Sequence, residues 1–282
     1  MFQRVAVLGI GLIGGSFALA LKERGLARHI VGVARREETL RAALGAGLCD
    51  EATSDATEAA RGADLVFLAS PVGALPQLCA QIAPLVAPGC LVTDGGSTKA
   101  RVVEACEPLF AHAHFVGGHP VAGSADSGPL AARADLFEGA TWILTPTPRT
   151  QPKALGTLRE LVVQLGAKPL EMAPQIHDEL LAVSSHLPHL TASLLVQTFL
   201  KSKAEAPQIA ELVAGGWRDS TRVAAGSAEM WRDICLDNAP SIEHALDEFA
   251  RELEKLRALV AARDGAALEK WLDEAARERK TF

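Results

Sequence analysis

A glycine-rich turn near the start of the chain constrains the fold more than any other feature. Val5 to Leu8 is a short, mostly β-branched apolar run, followed by G-I-G-L-I-G at 9–14 and a helical pattern through Lys22. A strand, a glycine turn and a helix in this order are the context that the dinucleotide-binding fingerprint requires. The sequence therefore predicts an α/β domain that holds a dinucleotide.

Each glycine of this turn has a separate role. Gly9 permits the tight turn, Gly11 lets the backbone approach a pyrophosphate, and Gly14 lets the helix pack closely on the strand. The helix N-terminus then supplies amides and a partial positive charge to the phosphates. The turn residues predicted to bind the cofactor are Gly9, Gly11, Leu12, Ile13 and Gly14.

The end of the second predicted strand, Ile30–Val33, indicates which dinucleotide is bound. In enzymes that use NAD, an acidic residue at this point accepts hydrogen bonds from the ribose 2′-hydroxyl. This chain has Arg35 and Arg36 instead, and two guanidinium groups suit a 2′-phosphate. The sequence therefore favours NADP over NAD. The alternative is that both arginines cap a solvated helix and that Glu37 or Glu38 reaches the ribose.

Strands and helices continue to alternate through the first half, as is typical of a parallel sheet covered by helices. Strands are predicted at 64–69, 91–93, 141–144 and about 168–172, and a helix at about 152–165. Ser70, Pro71 and Val72 follow one of these strands, where the loop lies along the cofactor in such folds, so we expect them to contact it. The first half is thus predicted to be a Rossmann-type domain.

Two further residues of the first half are candidates for a ligand site. Ser97 follows the 91–93 strand, and ligands bind beyond the carboxyl ends of strands in an open α/β sheet. Its alternative role is to cap the helix that begins near Thr98.

His119 lies in the segment 117–128, whose glycines and proline predict neither helix nor strand. Such a segment brings backbone close to a ligand, and the alternative is a plain surface loop.

Length and composition describe an ordinary globular protein. At 282 residues we expect two domains, placed at 1–172 and 173–282. A net charge of −6 with mixed signs argues against nucleic acid or an acidic membrane surface as a partner. The chain has no run of about 18 apolar residues, and its start lacks a basic segment with a cleavage site. We therefore expect a cytoplasmic protein with no membrane partner.

The cysteines form no recognisable pattern. Five cysteines are scattered without C-x-x-C spacing, at positions 49, 79, 90, 106 and 235. An odd number without a pattern fits reduced thiols, and it predicts neither a metal site nor a disulfide framework.

From Pro174 onward the pattern is helical. Pro188 breaks it within S-S-H-L-P-H, so His186 and His189 are predicted to lie at a helix junction that lines a site. The alternative is a helix break with two hydrogen-bonded histidines, and we expect no zinc because no carboxylate has ligand spacing. The last segment, 241–279, predicts two charged amphipathic helices that serve as a packing or dimer surface.

The segment 215–222, G-G-W-R-D-S-T-R, is predicted to interrupt these helices. Arginine presents a planar fork suited to a carboxylate, so Arg218 or Arg222 is a candidate to bind an anionic substrate. The alternative is a surface ion pair with Asp219. Trp231 lies nine residues after Arg222, so helical spacing predicts that the two line one side of a cavity.

Together these motifs resemble the prephenate and arogenate dehydrogenase family. The likeness rests on G-x-G-x-x-G-G-S, D-G-G-S-T-K, G-G-H-P-V-A-G-S, H-D-x-x-x-A-x-S-S-H-L-P-H and W-R-D-S-T-R…M-W, and it runs from Val5 to about Asn238. The resemblance implies a dinucleotide-binding domain followed by an all-helical domain that forms a homodimer. It also implies oxidative decarboxylation of a cyclohexadienol in tyrosine biosynthesis.

The resemblance also implies roles for individual residues. His119 occupies the position of the catalytic histidine, which takes the proton of the ring hydroxyl, as a near-neutral pKa would suit. Ser97 matches the serine that bonds the same hydroxyl, and Arg222 matches the arginine that clamps the substrate carboxylate. The remaining residues implied near the substrate are His186, His189, Ser124 and Trp231.

One departure from the family bears on the substrate. Many members that use prephenate have an acidic residue six positions after the catalytic histidine, and this chain has Ala125. Together with Arg35 and Arg36, Ala125 favours arogenate and NADP, with NAD-dependent prephenate oxidation as the alternative. Two other possibilities are a β-hydroxyacid dehydrogenase, which typically has a lysine on a helix of the second domain, and a non-catalytic NAD(P)-sensing protein.

Overall fold

The computed structural model describes residues 1–124 and 126–281. The first half is built on one eight-stranded sheet in the order β3-β2-β1-β4-β5-β6-β7-β8. The strands are β1 Val5–Leu8, β2 Ile30–Val33, β3 Glu51–Thr53, β4 Leu65–Leu68, β5 Leu91–Asp94, β6 His114–Pro120, β7 Thr141–Thr145 and β8 Lys168–Glu171. Strands β1 to β6 are parallel, whereas β7 runs antiparallel to β6. Because the order 3-2-1-4-5-6 is that of dinucleotide-binding sheets, the predicted fold of this half is confirmed.

Helices cover both faces of this sheet. They are α1 Leu12–Glu23, α2 Glu37–Gly45, α3 Ala56–Ala60, α4 Leu75–Ile82, α5 Ala100–Cys106 and α6 Pro152–Gln164. Within β1, Val5 and Val7 belong to the apolar core on one face, and Ala6 and Leu8 belong to the core on the other. A strand buried on both faces reads as a continuous apolar run, which explains the sequence V-A-V-L.

The second half is helical, as predicted. It comprises α7 Pro174–Leu181, a π-helical turn Ala182–His186, α8 Leu187–Glu205, α9 Gly215–Thr221, α10 Ala228–Asp237, α11 Ala239–Ala262 and α12 Gly265–Arg279, with 3-10 turns at Pro207–Leu212 and Arg222–Ala225. Of the 19 residues of α8, only His189 and Ala192 are buried. Leu194, Leu195 and Leu200 are at least 42% exposed, so α8 presents an uncovered apolar surface. Within the described part of the chain, no helix is both long and apolar enough to cross a membrane.

Two predictions about secondary structure are wrong. Residues 117–120 form the end of β6, although their glycines and proline predicted neither helix nor strand. They remain in the sheet because Gly118 and His119 pair with Leu144 and Ile143 of β7. A Cβ on Gly118 would lie 2.8 Å from the backbone oxygen of Asp94, so glycine is required there by close packing. The segment predicted to interrupt the helices forms α9 itself over Gly215–Thr221.

Candidate active site

The glycine turn after β1 has the three-part geometry that its sequence predicted. Gly9 has φ +110°, and a Cβ there would lie 2.5 Å from the Ala69 oxygen. A Cβ on Gly14 would overlap the Gly9 oxygen, so α1 packs directly on the turn. A Cβ on Gly11, by contrast, would meet no described atom within 4 Å. The turn is therefore closed by packing at Gly9 and Gly14 and open at Gly11, which suits a pyrophosphate at the start of α1.

The remaining residues predicted to touch the cofactor surround this opening. Leu12 and Ile13 are half-buried at the start of α1. The Ser70 hydroxyl donates to the Leu8 carbonyl at 3.0 Å, and Pro71 precedes a 3-10 turn that begins at the buried Val72. Since β1 and β4 are neighbours from which the chain proceeds in opposite directions, the loops after them border the topological switch point of the sheet.

Arg35 and Arg36 lie beyond β2, and both side chains are exposed. A guanidinium nitrogen of Arg35 is 3.9 Å from a carboxylate oxygen of Glu229, at the start of α10. A guanidinium nitrogen of Arg36 lies 3.4 Å from a carboxylate oxygen of Glu38, one of the two residues that the alternative assigned to the ribose. The helical half thus reaches the edge of the cofactor crevice and places an acidic group beside Arg35.

His119 ends a chain of hydrogen bonds near the carboxyl edge of the sheet. Its Nδ1 is 2.8 Å from Nε2 of His177, whose Nδ1 is 2.8 Å from a carboxylate oxygen of Asp178. An ionised carboxylate only accepts, so the proton of His177 is on Nδ1 and its Nε2 accepts from Nδ1–H of His119. This order leaves the lone pair of His119 on Nε2, where it can take a proton.

The environment of His119 favours the neutral imidazole. His119 is only 8% exposed, and burial, followed by the nearby His177, Lys99 and His186, lowers its pKa well below the ordinary value. Burial also lowers the pKa of His177, against the opposing effect of Asp178. The expected pKa of His119 was near neutral, whereas burial sets a lower one. His119 is therefore unprotonated and able to act as a base at neutral pH.

Asp178 also caps a helix of the first half. Its two carboxylate oxygens accept from the backbone amides of Lys99 at 2.7 Å and Ala100 at 2.8 Å, where α5 begins. The alternative that Ser97 caps this helix is wrong, because α5 starts at Ala100 and its first amides are bound from α7. Ser97 is half-buried in the preceding loop. Its backbone carbonyl lies against His186, whose pKa burial lowers to about 4.

His186 ends the π-helical turn and His189 lies in the first turn of α8, and both rings contact Trp231. The ring of His189 stacks on Trp231 with centroids 3.6 Å apart, and His186 meets Trp231 edge-on at 6.0 Å. Gly226 permits this contact, since a Cβ there would lie 2.8 Å from the indole nitrogen. Nδ1 of His186 is 3.3 Å from Nδ2 of Asn238, and its buried Nε2 has no well-aligned hydrogen-bond partner among the described residues, although the Ser97 carbonyl lies against the ring.

Arg222 and Ser124 are less constrained. Arg222 opens the 3-10 turn after α9, whereas Trp231 belongs to α10, so the helical spacing predicted between them is wrong. Arg222 is exposed, and across residues 1–124 and 126–281 its side chain has no hydrogen bond or ion pair. Ser124 is also exposed, and its hydroxyl accepts the Asp126 amide at 3.2 Å. Ala125, on which the substrate prediction rests, lies outside the described residues.

Four residues that the sequence left without a role meet at the site. They are Asp94, Lys99, His177 and Asp178, all buried. Each belongs to a quoted motif, D-G-G-S-T-K or H-D, but their meeting depends on α7 packing against α5. The sequence shows both motifs, but it does not show that they lie in contact in the folded chain.

Comparisons with known proteins agree over both halves. A family model described as prephenate dehydrogenase, nucleotide-binding domain, matches residues 17–171, and one described as the dimerization domain of prephenate dehydrogenase matches residues 173–274. Prephenate dehydrogenase of Bacillus subtilis is 39% identical over 95% of this chain and 73% of its own. Cyclohexadienyl dehydrogenase of Zymomonas mobilis is 36% identical over 94% and 91%.

Two solved structures are similar over the whole chain. Prephenate dehydrogenase from A. aeolicus, in complex with hydroxyphenyl propionate and NAD+, has a TM-score of 0.91 at 32% identity and covers 100% of this chain and 98% of its own. Arogenate dehydrogenase of Synechocystis has a TM-score of 0.82 at 31% identity and covers 99% of both chains.

Proposed function

The chain belongs to the prephenate dehydrogenase family, and from that premise we propose that it oxidatively decarboxylates arogenate with NADP as hydride acceptor. A dehydrogenase that uses a nicotinamide cofactor follows from the family, and the choice of substrate and cofactor is the proposal. The observation that supports the oxidation itself is the hydrogen-bonded order His119–His177–Asp178, which leaves a buried, neutral imidazole nitrogen free to act as a base.

The proposed reaction uses this nitrogen first. The ring hydroxyl of the substrate gives its proton to Nε2 of His119, and the resulting imidazolium donates from Nδ1 to His177. A nicotinamide cofactor, whose pyrophosphate the glycine turn at 9–14 would hold, would supply the hydride acceptor for the carbon that bears this hydroxyl. The ring carboxylate of the ketone then leaves as CO2, its electron pair enters the ring, and the phenolate oxygen that results takes the proton back from the His119 imidazolium. Aromatisation drives this step, so no separate catalytic acid is required.

The other site residues bind and orient the substrate in this proposal. Ser97 bonds the reacting hydroxyl, and Arg222 clamps the carboxylate with its planar fork. His186 and His189, whose rings both contact Trp231, lie against the substrate side chain.

Arogenate is proposed over prephenate because Ala125 stands where many prephenate-using members have an acid. NADP is proposed because Arg35 and Arg36 follow β2. The alternative is NAD-dependent oxidation of prephenate, and the relative solved with NAD+ is a prephenate dehydrogenase.

We also propose a boundary at 172/173 and a homodimer formed through the second domain. Helix α8 exposes Leu194, Leu195 and Leu200, and a second copy would remove this apolar surface from water.

A spectrophotometric assay at about 340 nm, the absorbance of reduced nicotinamide, tests the function. Arogenate and prephenate are each combined with NADP and NAD, and arogenate with NADP is expected to give the highest kcat/KM. A small β-hydroxyacid serves as the rival substrate. Reduction of cofactor with none of the four combinations would contradict the proposal, and nucleotide binding without turnover would favour a sensing protein.

Replacing Arg222 with glutamine is expected to raise the substrate KM by roughly 10- to 100-fold, because a hydrogen bond to a charged group contributes roughly 1.5–3 kcal/mol. The change is measured with steady-state kinetics at saturating cofactor. Arg218→Gln, four residues earlier on the exposed surface of α9, is the matched control. A raised KM in Arg218→Gln with a normal KM in Arg222→Gln would show that Arg222 is not the clamp.

Replacing Arg35 and Arg36 together with alanine is expected to weaken NADP binding by roughly 10- to 100-fold and to spare NAD, since only NADP has the 2′-phosphate. Titration of protein fluorescence with each nucleotide measures both affinities. Glu229→Gln removes the carboxylate beside Arg35 and should strengthen NADP binding. Arg41→Ala, on the exposed face of α2, is the control, and equal losses for NADP and NAD would refute the assignment.

A further inference from the structure

A buried ion pair lies next to the proposed proton acceptor, and the proposed reaction does not use it. Asp94 is the last residue of β5, and Lys99 lies in the loop that leads to α5. Both side chains are 0% exposed, and Nζ of Lys99 contacts a carboxylate oxygen of Asp94. Buried charges are expensive to desolvate, so stability alone is a weak explanation for the pair.

The Asp94 carboxylate binds the two segments that precede the reacting side chains. One oxygen accepts the amide of Gly118 at 3.0 Å, directly before His119. The other accepts the amide of Gly96 at 2.9 Å, directly before Ser97. A Cβ on Gly96 would lie 2.9 Å from that oxygen, so a glycine is needed for this approach. A single carboxylate thus sets the relative position of two backbone segments.

Lys99 connects the same carboxylate to the end of the histidine chain. Its side chain binds Asp94, and its backbone amide donates to Asp178 at 2.7 Å. Asp178 in turn orients His177, which is bonded to His119. The path from Asp94 through Lys99 therefore closes a ring of contacts around the base.

We propose that Asp94 and Lys99 are positioning residues that hold His119, Ser97 and Asp178 in one reactive geometry. This geometry is reactive only if the proposed function is correct, whereas the contacts of Asp94 and Lys99 do not depend on which substrate is bound. Neither residue is assigned contact with the reacting atoms.

Lys99 also acts on His119 through its charge. The charged and titratable groups around His119 are His177 and Asp178 from α7, His186 from the π-helical turn, Asp94 at the end of β5, and Lys99 from the loop after β5. The Lys99 cation lowers the pKa of His119, after burial and His177. Removing this cation should move the acidic limb of the kcat/KM profile to higher pH, which a loss of packing alone would not do.

The central experiment is the double variant Asp94→Asn/Lys99→Met. It removes both charges at similar volume, and the asparagine amide group can no longer accept both backbone N–H groups. We expect kcat to fall about 10- to 100-fold with the cofactor KM unchanged. A folded double variant with wild-type kcat would overturn the proposal. The control is Asp50→Asn/Lys22→Met, which removes a partly exposed Asp–Lys pair of the same domain and should leave kcat unchanged.

Asp94→Glu keeps both charges and moves the carboxylate by one methylene, so it tests the geometry even if the double variant fails to fold. We expect kcat about 10-fold lower, and an unchanged kcat would overturn the proposal. Nitrogen-15 NMR of labelled histidine gives a readout that does not need turnover. In Lys99→Met the pKa of His119 should rise, and an unchanged pKa would overturn the charge effect. If wild type oxidises none of the four substrate and cofactor combinations, the proposed function fails while this measurement still reports on the pair.

Discussion

His119→Asn should lower kcat by roughly 10²–10⁴-fold while the cofactor binds as it does to wild type. Asparagine can fill much of the same space, but its amide nitrogen has no lone pair that can take a proton at neutral pH. The glycine turn at Gly9 to Gly14 belongs to other strands and should keep its geometry. Steady-state kinetics and a nucleotide titration separate the two effects.

The matched control for this prediction is His114→Asn. His114 begins the same strand, β6, and is half-buried at the end remote from His177. It should retain kcat near the wild-type value. Turnover of His119→Asn close to wild type would remove His119 from the role of base.

Asp178→Asn should lower kcat by roughly 10²–10⁴-fold, although Asp178 touches no substrate. The asparagine can turn its NH₂ group toward Nδ1 of His177, which would then accept and carry its proton on Nε2. That proton faces Nδ1 of His119, so the proton of His119 moves to Nε2 and the lone pair needed for the reaction is lost. The variant should therefore bind substrate and cofactor yet turn over slowly.

Loss of the cap on α5 must be separated from this effect. Asp178 accepts two amides at the start of α5, and losing such a cap costs about 1 kcal/mol. Thermal unfolding measures that cost. Asp55→Asn changes the aspartate that caps α3 and should leave kcat unchanged. Wild-type kcat in Asp178→Asn, with a normally folded protein, would show that the hydrogen-bonded order does not control the base.

The dinucleotide-binding half could be predicted from sequence because its signals are local. The strand Val5–Leu8 is apolar at every position, and the glycines that follow have conformations and contacts set within a few residues. The short edge strand Glu51–Thr53 was not predicted, since its E-A-T sequence is mostly accessible and has no apolar pattern. The end of β6 was missed because pairing with β7 overrides the weak strand propensity of glycine and proline.

The active site was predictable only in part. His119 and His189 stood out because each lies beside a proline, and His186 because it lies two residues before Pro188. Their partners did not stand out, since the contact of His119 with His177 spans 58 residues and that of Lys99 with Asp178 spans 79. Sequence spacing carries no information about such contacts, which depend on how α7 packs on α5.

The π-helical turn Ala182–His186 sets the orientation of α8 relative to α7. It lies between α7, which carries His177 and Asp178, and α8, whose apolar side chains we propose to pack on a second copy. Each residue of an α-helix advances the rotation by about 100°, so one residue more or fewer in this turn would rotate the whole of α8 about its axis. An insertion or deletion in this turn would therefore change the orientation of the proposed subunit contact on α8 relative to His177 and Asp178 on α7.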